Sequence, residues 1–210
     1  MIAVLDYGIG NLRSAQKALA RVGGDARLVA DPDEAAAASA LVLPGVGAFG
    51  PCAAALERTG LASAARDALA RGVPFLGICI GYQMLHEGSE EDPGTPGLGA
   101  FPGVVRRLPA GVKHPQMQWN RVDAVPGRAS GLLAGLGTEP WLYFVHSFAP
   151  ESGDDTVATC DYGGPVVAAS ERGTLWGTQF HPEKSGTTGL AVLANFVRAV
   201  AARTDAGEVA

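Results

Sequence analysis

Short apolar runs alternate with helical patterns through the first half of the chain, and this alternation limits the fold more than any other feature. Strands are predicted at 2–5, 27–30, 40–43 and 73–79. Helices are predicted between them, from Leu12 to Val22, from the Asp31-Pro32 start, and over 61–71. Because parallel strands need such crossovers, the pattern predicts an α/β fold with a mainly parallel sheet flanked by helices. Its functional site should lie at the carboxyl ends of the strands.

The second half of the chain has a different character. Residues 88–97 are acidic and rich in Gly and Pro, which predicts an exposed loop. Short strands separated by turns are predicted at 103–108, 119–125, 141–148, 157–162, 166–170 and 175–180. This spacing favours additional antiparallel strands. A final helix is predicted over 189–202, a frayed tail over 203–210, and a single domain over 1–210.

Composition narrows the class of protein. The formal net charge is −5 and there is no dense basic cluster, which argues against a nucleic-acid surface. No apolar run is long enough to span a membrane, and the N-terminal residues lack the basic region of a signal peptide. Cys52, Cys79 and Cys160 are widely spaced and do not form zinc-like pairs. We expect a cytoplasmic protein without a metal or organic cofactor.

Cys79 follows the apolar run, with Gly77 and Gly81 two residues away on either side. This arrangement is typical of a nucleophile elbow, a sharp strand-to-helix turn that exposes a reactive side chain. Glycine suits both flanks because a Cβ atom would crowd the turn. A helix is expected over 80–86, and its N-terminal N–H groups would favour thiolate over thiol. Cys79 is a candidate nucleophile, with a buried structural cysteine as the alternative.

His181 and Glu183 form a second candidate group near the C-terminus. In an extended segment alternate side chains share one face, and Pro182 favours extended geometry at His181. The carboxylate would hold one imidazole nitrogen while the other accepts a thiol proton. A solvated glutamate in a His-Pro turn is the alternative for this segment.

Two glycine-rich loops are candidate binding elements. Gly8 and Gly10 match only part of a dinucleotide fingerprint, because Arg13 stands at the third glycine position and no acidic residue ends a second strand at the expected spacing, so nucleotide binding is not expected. The loop Pro44-Gly45-Val46-Gly47 follows a strand and could offer backbone N–H groups to an oxyanion near Cys79. An ordinary strand-to-helix turn is its alternative.

These residues together resemble the class I (triad) glutamine amidotransferases. The resemblance rests on the elbow segment 77–83 and on His181-Pro182-Glu183. Segments 6–14, 44–49, 143–147 and 179–186 are further similar to one subfamily, the glutaminase subunits of imidazole glycerol phosphate synthases in histidine biosynthesis. The resemblance runs from the first strand to the last helix and implies a flavodoxin-like fold.

The resemblance implies a role for each matching position. Cys79 would attack the carboxamide of glutamine to form a thioester, with His181 as acid and base and Glu183 orienting it. Backbone N–H groups of Ile80 and of Gly45, Val46 or Gly47 would hold the oxyanion. Gln83, His146 and Ser147 would line the glutamine pocket, with a structural role as the alternative for Ser147.

The family also implies a partner, a (β/α)₈-barrel cyclase subunit that receives the ammonia. The matching interface positions are Asn11, Ser14, Trp119, Asn120 and Lys184. By residue type alone, most of these would be plain surface; Lys184 beside the triad is the best candidate. Turnover is expected to be weak until the partner binds its nucleotide ligand.

One position departs from the family pattern. Gln118 stands where the family has a glycine before Trp119-Asn120. If that backbone needs a positive φ, Gln118 would be strained by about 1 kcal/mol or more and could disturb coupling to the partner.

Three other functions remain open at this stage. Another glutaminase subunit could serve pyridoxal phosphate, anthranilate or aminobenzoate synthesis. A cysteine hydrolase or peptidase of similar fold is a second possibility, and a non-catalytic docking module is a third.

Overall fold

The computed structural model describes the backbone of residues 1–207 and the side chains of residues 1–203. The strands form a central sheet of eight and two small sheets of two and four strands, and the helices alternate with the strands of the first half of the chain. The final helix continues beyond its predicted end at Ala202 as far as Gly207. Residues 208–210, the rest of the predicted frayed tail, lie outside the described residues.

The strands follow one another along the chain as β1 Ile2–Leu5, β2 Ala26–Val29, β3 Ala40–Gly45, β4 Phe75–Cys79, β5 Gly88–Ser89, β6 Asp92–Pro96, β7 Val104–Arg107, β8 Gln116–Arg121, β9 Asp123–Ala124, β10 Trp141–His146, β11 Phe148–Pro150, β12 Thr156–Asp161, β13 Pro165–Arg172 and β14 Leu175–Thr178. The helices are α1 Leu12–Arg21, α2 Pro32–Ala36, α3 Phe49–Arg58, α4 Leu61–Ala70, α5 Ile80–Gln83 and α6 Gly186–Gly207, and a 3₁₀ turn covers Pro182–Lys184.

The central sheet has the strand order β2-β1-β3-β4-β14-β13-β12-β9. Its first five members are parallel, and β13, β12 and β9 extend it in antiparallel fashion. The predicted mainly parallel α/β fold with antiparallel strands from the second half is therefore confirmed. The carboxyl ends of β3 and β4 meet at Gly45 and Cys79, which are paired in register.

The strands β1, β3 and β4 are buried on both faces, which explains why they are continuous apolar runs. Helix α2 begins as predicted, because the Asp31 side chain accepts hydrogen bonds from the N–H groups of Asp33 and Glu34. Helix α3 was not delineated from the sequence. It carries Phe49 and Leu56 into the core.

Four strand predictions need correction. The predicted strand 119–125 is two strands, β8 and β9, which belong to different sheets. Segment 88–97 is not a plain loop, because β5 and β6 pair there and join the small sheet β11-β7-β5-β6. The predicted strand 141–148 is two strands, interrupted at Ser147, where the chain passes from β10 to β11 and from one small sheet to another. The predicted strand 175–180 ends at Thr178.

Among the described residues, no helix has both the length and the apolar character needed to cross a membrane.

Candidate active site

Cys79 occupies the strained turn predicted for it. Its φ is 54°, and among the described residues it is the only non-glycine residue with a positive φ. A Cβ atom on Gly81 would lie 1.7 Å from the carbonyl oxygen of Leu43, and one on Gly77 would lie 2.7 Å from Cα of Tyr82. Both flanking glycines are thus required by close backbone approach, as expected. Strain of this kind persists where a site needs it.

The helix after the elbow is shorter than predicted. It covers Ile80–Gln83, not 80–86, and a turn follows at once. A helix of one turn has little macrodipole, so the expected helix contribution to thiolate formation is small.

His181 and Glu183 meet by a different geometry from the predicted one. Pro182–Lys184 form a 3₁₀ turn, so the two side chains do not share the face of an extended strand. His181 Nδ1–H nevertheless donates to Glu183 Oε1 at 2.8 Å, and both side chains are almost fully buried. Ser185 Oγ donates to the His181 carbonyl and accepts from the Tyr143 N–H, which fixes the turn.

The imidazole of His181 is adapted to accept a proton. Burial lowers its pKa, but the neighbouring Cys79 sulfur and the Glu183 carboxylate outweigh burial and raise the pKa to about 9. Its Nε2 atom is buried and makes no conventional hydrogen bond to the described residues. This nitrogen is available for the thiol proton.

A cleft of about 620 Å³ opens over Cys79. Most of the predicted site residues line it, together with several that were not predicted. The predicted ones are Asn11, Val46, Gly47, Cys79, Ile80, Gln83, His146, Ser147, His181 and Lys184. Glu183 does not line the cleft and lies behind His181. Gly45 is buried at the end of β3, beside the elbow.

The end of β3 and the loop that follows it are each held by a buried donor. Tyr7 Oη donates to the Pro44 carbonyl at 2.6 Å, and Cys52 Sγ donates to the Val46 carbonyl at 3.3 Å. Burial raises the pKa of Tyr7 well above its usual range, so the hydroxyl keeps its proton. Neither residue was identified from the sequence as part of the site.

The polar wall of the cleft centres on the Phe148 carbonyl. Gln83 Nε2 and His146 Nδ1–H both donate to it, each at 2.8 Å. Burial lowers the pKa of His146 to about 4, so this ring is neutral and its Nε2 is a hydrogen-bond acceptor. Gln83 Oε1 and His146 Nε2 are buried without a partner among the described residues.

Glu91 is the one acidic side chain among those that line the cleft, and it was not predicted from the sequence. Its Oε2 accepts the Phe49 N–H at 2.8 Å and so caps α3. The acidic character of segment 88–97 was visible, but the contact with α3 joins residues 42 positions apart.

Two of the five predicted interface residues line the cleft. Lys184 is exposed and Asn11 is half-buried, and both line the cleft. Ser14 is half-buried on α1, and the Asn120 side chain is engaged with the Asp161 carbonyl at 2.9 Å. Trp119 is 47% exposed on the β8–β10 ribbon. Met117 and Trp141, which were not predicted, are exposed on the same ribbon.

The expected strain at Gln118 is absent. This residue lies in β8 opposite Phe144, is exposed, and does not have a positive φ. The backbone here accepts a side chain without cost, so the interpretation of strain was wrong.

In the part of the chain that the structure describes, no cluster of His, Cys, Asp or Glu is arranged to hold a metal ion. Cys52, Cys79 and Cys160 are all free and buried.

Comparisons with known proteins agree on one family. The profile of class-I glutamine amidotransferases matches residues 3–200. The chain is 46% identical over 208 residues to imidazole glycerol phosphate synthase subunit HisH of Moorella thermoacetica, covering 98% of both chains. It is 50% identical over 203 residues to HisH of Methanothermobacter thermautotrophicus, covering 96% of this chain and 100% of the relative.

Solved structures show the same fold at low identity. A crystal structure of a glutamine amidotransferase matches with a TM-score of 0.76 at 21% identity, covering 95% of this chain and 98% of the other. The PurLQS structure from Thermotoga maritima matches with a TM-score of 0.71 at 20% identity, covering 97% and 98%.

Proposed function

Because this chain belongs to the class-I glutamine amidotransferase family, we propose that it is the glutaminase subunit of an imidazole glycerol phosphate synthase. It hydrolyses L-glutamine to glutamate and ammonia. The ammonia goes to a cyclase subunit that makes imidazole glycerol phosphate and AICAR in histidine biosynthesis. The observation that carries this proposal is the strained Cys79 at the floor of a cleft beside the buried His181–Glu183 pair.

The first half-reaction forms a thioester. The thiol proton of Cys79 passes to Nε2 of His181, and the sulfur attacks the carboxamide carbon of glutamine. A C–S bond forms while the C=O π electrons move to oxygen. As the carbonyl re-forms, the C–N bond breaks, and His181 returns the proton to the nitrogen that leaves as ammonia.

The second half-reaction hydrolyses the thioester. His181 removes a proton from water, whose oxygen attacks the thioester carbon, and the C–S bond then breaks to give glutamate and restore the Cys79 thiol. Glu183 holds Nδ1–H throughout, so Nε2 always faces the reacting atoms.

We assign the oxyanion site to the backbone N–H of Ile80 and to N–H groups of Gly45, Val46 and Gly47. Support comes from the pairing of Gly45 with Cys79 and from the position of the other three along the cleft. Donors fixed in advance at a developing negative charge provide a large share of such catalysis.

Gln83, His146, Ser147 and Glu91 form the proposed glutamine pocket. The free acceptors Gln83 Oε1 and His146 Nε2 suit the N–H groups of an amino-acid substrate. The Glu91 carboxylate suits the α-ammonium group, because a charge-assisted hydrogen bond is the strongest kind available to it.

The proposed partner is the (β/α)₈-barrel cyclase subunit, bound as a heterodimer. The relatives in the comparison are named as subunits of a synthase. Exposed Met117, Trp119 and Trp141 form an apolar surface on the β8–β10 ribbon, whose Val145 and His146 reach the cleft. Aromatic and Met side chains are enriched at such interfaces. Asn11, Ser14, Asn120 and exposed Lys184 complete the proposed interface.

A docked partner has a physical purpose. Ammonia released into water is protonated and lost as a nucleophile, so the two sites must share a closed path for channelling. We assign the reaction to the cytoplasm, where three free thiols such as these remain reduced.

The test is glutamate release from glutamine by the purified chain, alone and with a cyclase barrel plus its ribulosyl nucleotide ligand. We expect strong stimulation by partner and ligand, and its loss in Cys79→Ala. Cys160→Ala is the matched control, because Cys160 is also a free buried thiol but does not line the cleft. If glutamine turnover is the same with and without the cyclase, the chain is a glutaminase subunit of another synthase. The absence of turnover in every condition would refute the glutaminase function.

A further inference from the structure

Gln179 contacts the sulfur of Cys79 from a fully buried position. Its Nε2 donates to Cys79 Sγ at 3.6 Å, and its backbone N–H is anchored to the Ala168 carbonyl at 2.9 Å. We propose that Gln179 is a positioning residue for the nucleophile and links it to the glutamine pocket. That the substrate is glutamine rests on the proposed function. The contact between Gln179 and Cys79 does not depend on that function.

The orientation of the Gln179 amide is set by Gln83. Gln83 Nε2 donates to the Phe148 carbonyl at 2.8 Å and to Gln179 Oε1 at 3.1 Å, which uses both of its hydrogens. With its oxygen held towards Gln83, the Gln179 amide must direct its nitrogen elsewhere, and it directs it at the sulfur. Two amides thus form a continuous chain from the cleft wall to Cys79.

The donor matters most once the thiol has lost its proton. The sulfur has a second contact, with the Val145 carbonyl at 3.9 Å, in which the thiol donates. A thiolate can no longer donate to Val145, but it still accepts the hydrogen bond from Gln179, and more strongly because it is charged. The Gln179 contact therefore holds the sulfur through the step in which it attacks.

The same chain connects substrate binding to the nucleophile. Gln83 Oε1 is buried, has no partner among the described residues, and belongs to a residue that lines the cleft. A glutamine that donates to this oxygen would fix the Gln83 amide, and Gln83 would in turn fix Gln179. Bound substrate would then order the sulfur that attacks it.

The protein contains a second buried glutamine that serves as a matched control for this role. Gln116 is the other glutamine that is fully buried and donates to a thiol, at 3.7 Å from Cys160 Sγ. Substituting it removes a contact of the same kind from Cys160, a thiol that does not line the cleft. If Gln179→Met lowers kcat or the alkylation rate more than Gln116→Met does, the difference is therefore specific to the nucleophile.

The experiment measures kcat and KM of the complex with the cyclase, and the rate at which iodoacetamide alkylates Cys79. A lost hydrogen bond to a charged group corresponds to roughly 10- to 100-fold in rate. We expect kcat and the alkylation rate of Gln179→Met to fall by roughly 10- to 100-fold. Its KM should stay within about threefold of the wild-type value. Gln116→Met should keep both rates within about threefold of the wild type, even if it lowers the melting temperature.

Gln179→Glu supplies a second variant of the same size. A carboxylate can accept from Gln83 but cannot donate to sulfur, whereas a protonated carboxyl can donate. The kcat of Gln179→Glu, divided by the wild-type kcat at the same pH, should rise as pH falls. Dividing at each pH cancels the effects of titrations that both enzymes share.

Two outcomes would overturn the inference. One is an alkylation rate and kcat in Gln179→Met that match those of Gln116→Met, and the other is a Gln179→Glu ratio that does not vary with pH. Alkylation needs neither glutamine nor partner, so slowed alkylation in a protein without glutaminase turnover would retain this inference while rejecting the proposed function.

Discussion

His181 Nδ1–H donates to Glu183 Oε1 at 2.8 Å across a single 3₁₀ turn, and the exposed fractions of the two side chains are only 2% and 3%. The carboxylate holds one tautomer of the ring and raises its pKa, after the larger effect of the Cys79 thiol. Because the pair is shielded from water, its interaction is weakly screened.

Glu183→Gln should therefore impair chemistry more than binding. We expect kcat to fall roughly 100-fold or more with little change in KM, because a neutral amide neither stabilises the imidazolium nor enforces its tautomer. The pKa of His181, followed by NMR titration of the ring, should move down. An unchanged kcat in a folded variant would remove Glu183 from the catalytic group.

Tyr7→Phe should loosen the loop after β3. The hydroxyl of Tyr7 is the donor that holds the Pro44 carbonyl, immediately before Gly45. We expect a stability loss of about 1 kcal/mol and a kcat about tenfold lower, since the oxyanion donors would be less well ordered. Tyr162→Phe is the control, because Tyr162 also donates to a main-chain carbonyl, that of Lys113. Equal effects on kcat in both variants would contradict a role for Tyr7 in the loop.

Features that depend on near neighbours in the chain could be predicted from the sequence. The steric need for Gly77 arises from Gly81, Tyr82 and Leu85, within a few residues along the chain, and the strand pattern reports directly on burial. The need for Gly81 arises instead from Leu43 on the neighbouring strand. The parallel order of the first strands follows from their crossover helices.

Features that depend on distant contacts could not be predicted in this way. Gln179 meets Cys79 across 100 positions, and Glu91 meets Phe49 across 42. The His181–Glu183 pair was expected, but its geometry was not, because Pro182 begins a 3₁₀ turn where an extended segment was equally compatible with the local pattern.

Stability should decline on mild acidification because of buried neutral histidines. Burial lowers the pKa of His86 and of His146 to about 4 each, below the ordinary value of 6.5. Between these values the unfolded chain binds more protons than the folded one, so the free energy of unfolding falls as pH falls, by up to about 1.4 kcal/mol per pH unit for each ring. His181, with its raised pKa, titrates above this window.

His86→Asn isolates one of these contributions. An asparagine amide can replace the His86 Nδ1–H donor to the Tyr82 carbonyl but does not titrate. Urea unfolding at pH 5 and pH 7 should show a smaller loss of stability on acidification in the variant than in the wild type. The same loss in both proteins would mean that His86 is not kept neutral in the fold.

The exposed aromatic residues of the β8–β10 ribbon should contribute to binding of the cyclase partner. Trp119 packs edge-on against Tyr143 with ring centroids 6.1 Å apart, and Trp141 is 52% exposed on the paired strand. If the cyclase covers this surface, Trp119→Ala should weaken the complex by roughly 2 kcal/mol, about 30-fold in Kd, because aromatic anchors dominate such interfaces. Arg58→Ala, on an exposed residue at the far end of α3 from the cleft, is the control. Calorimetry that gives equal Kd values for the two variants would place the docking surface elsewhere, since a covered tryptophan cannot be removed without loss of buried apolar area.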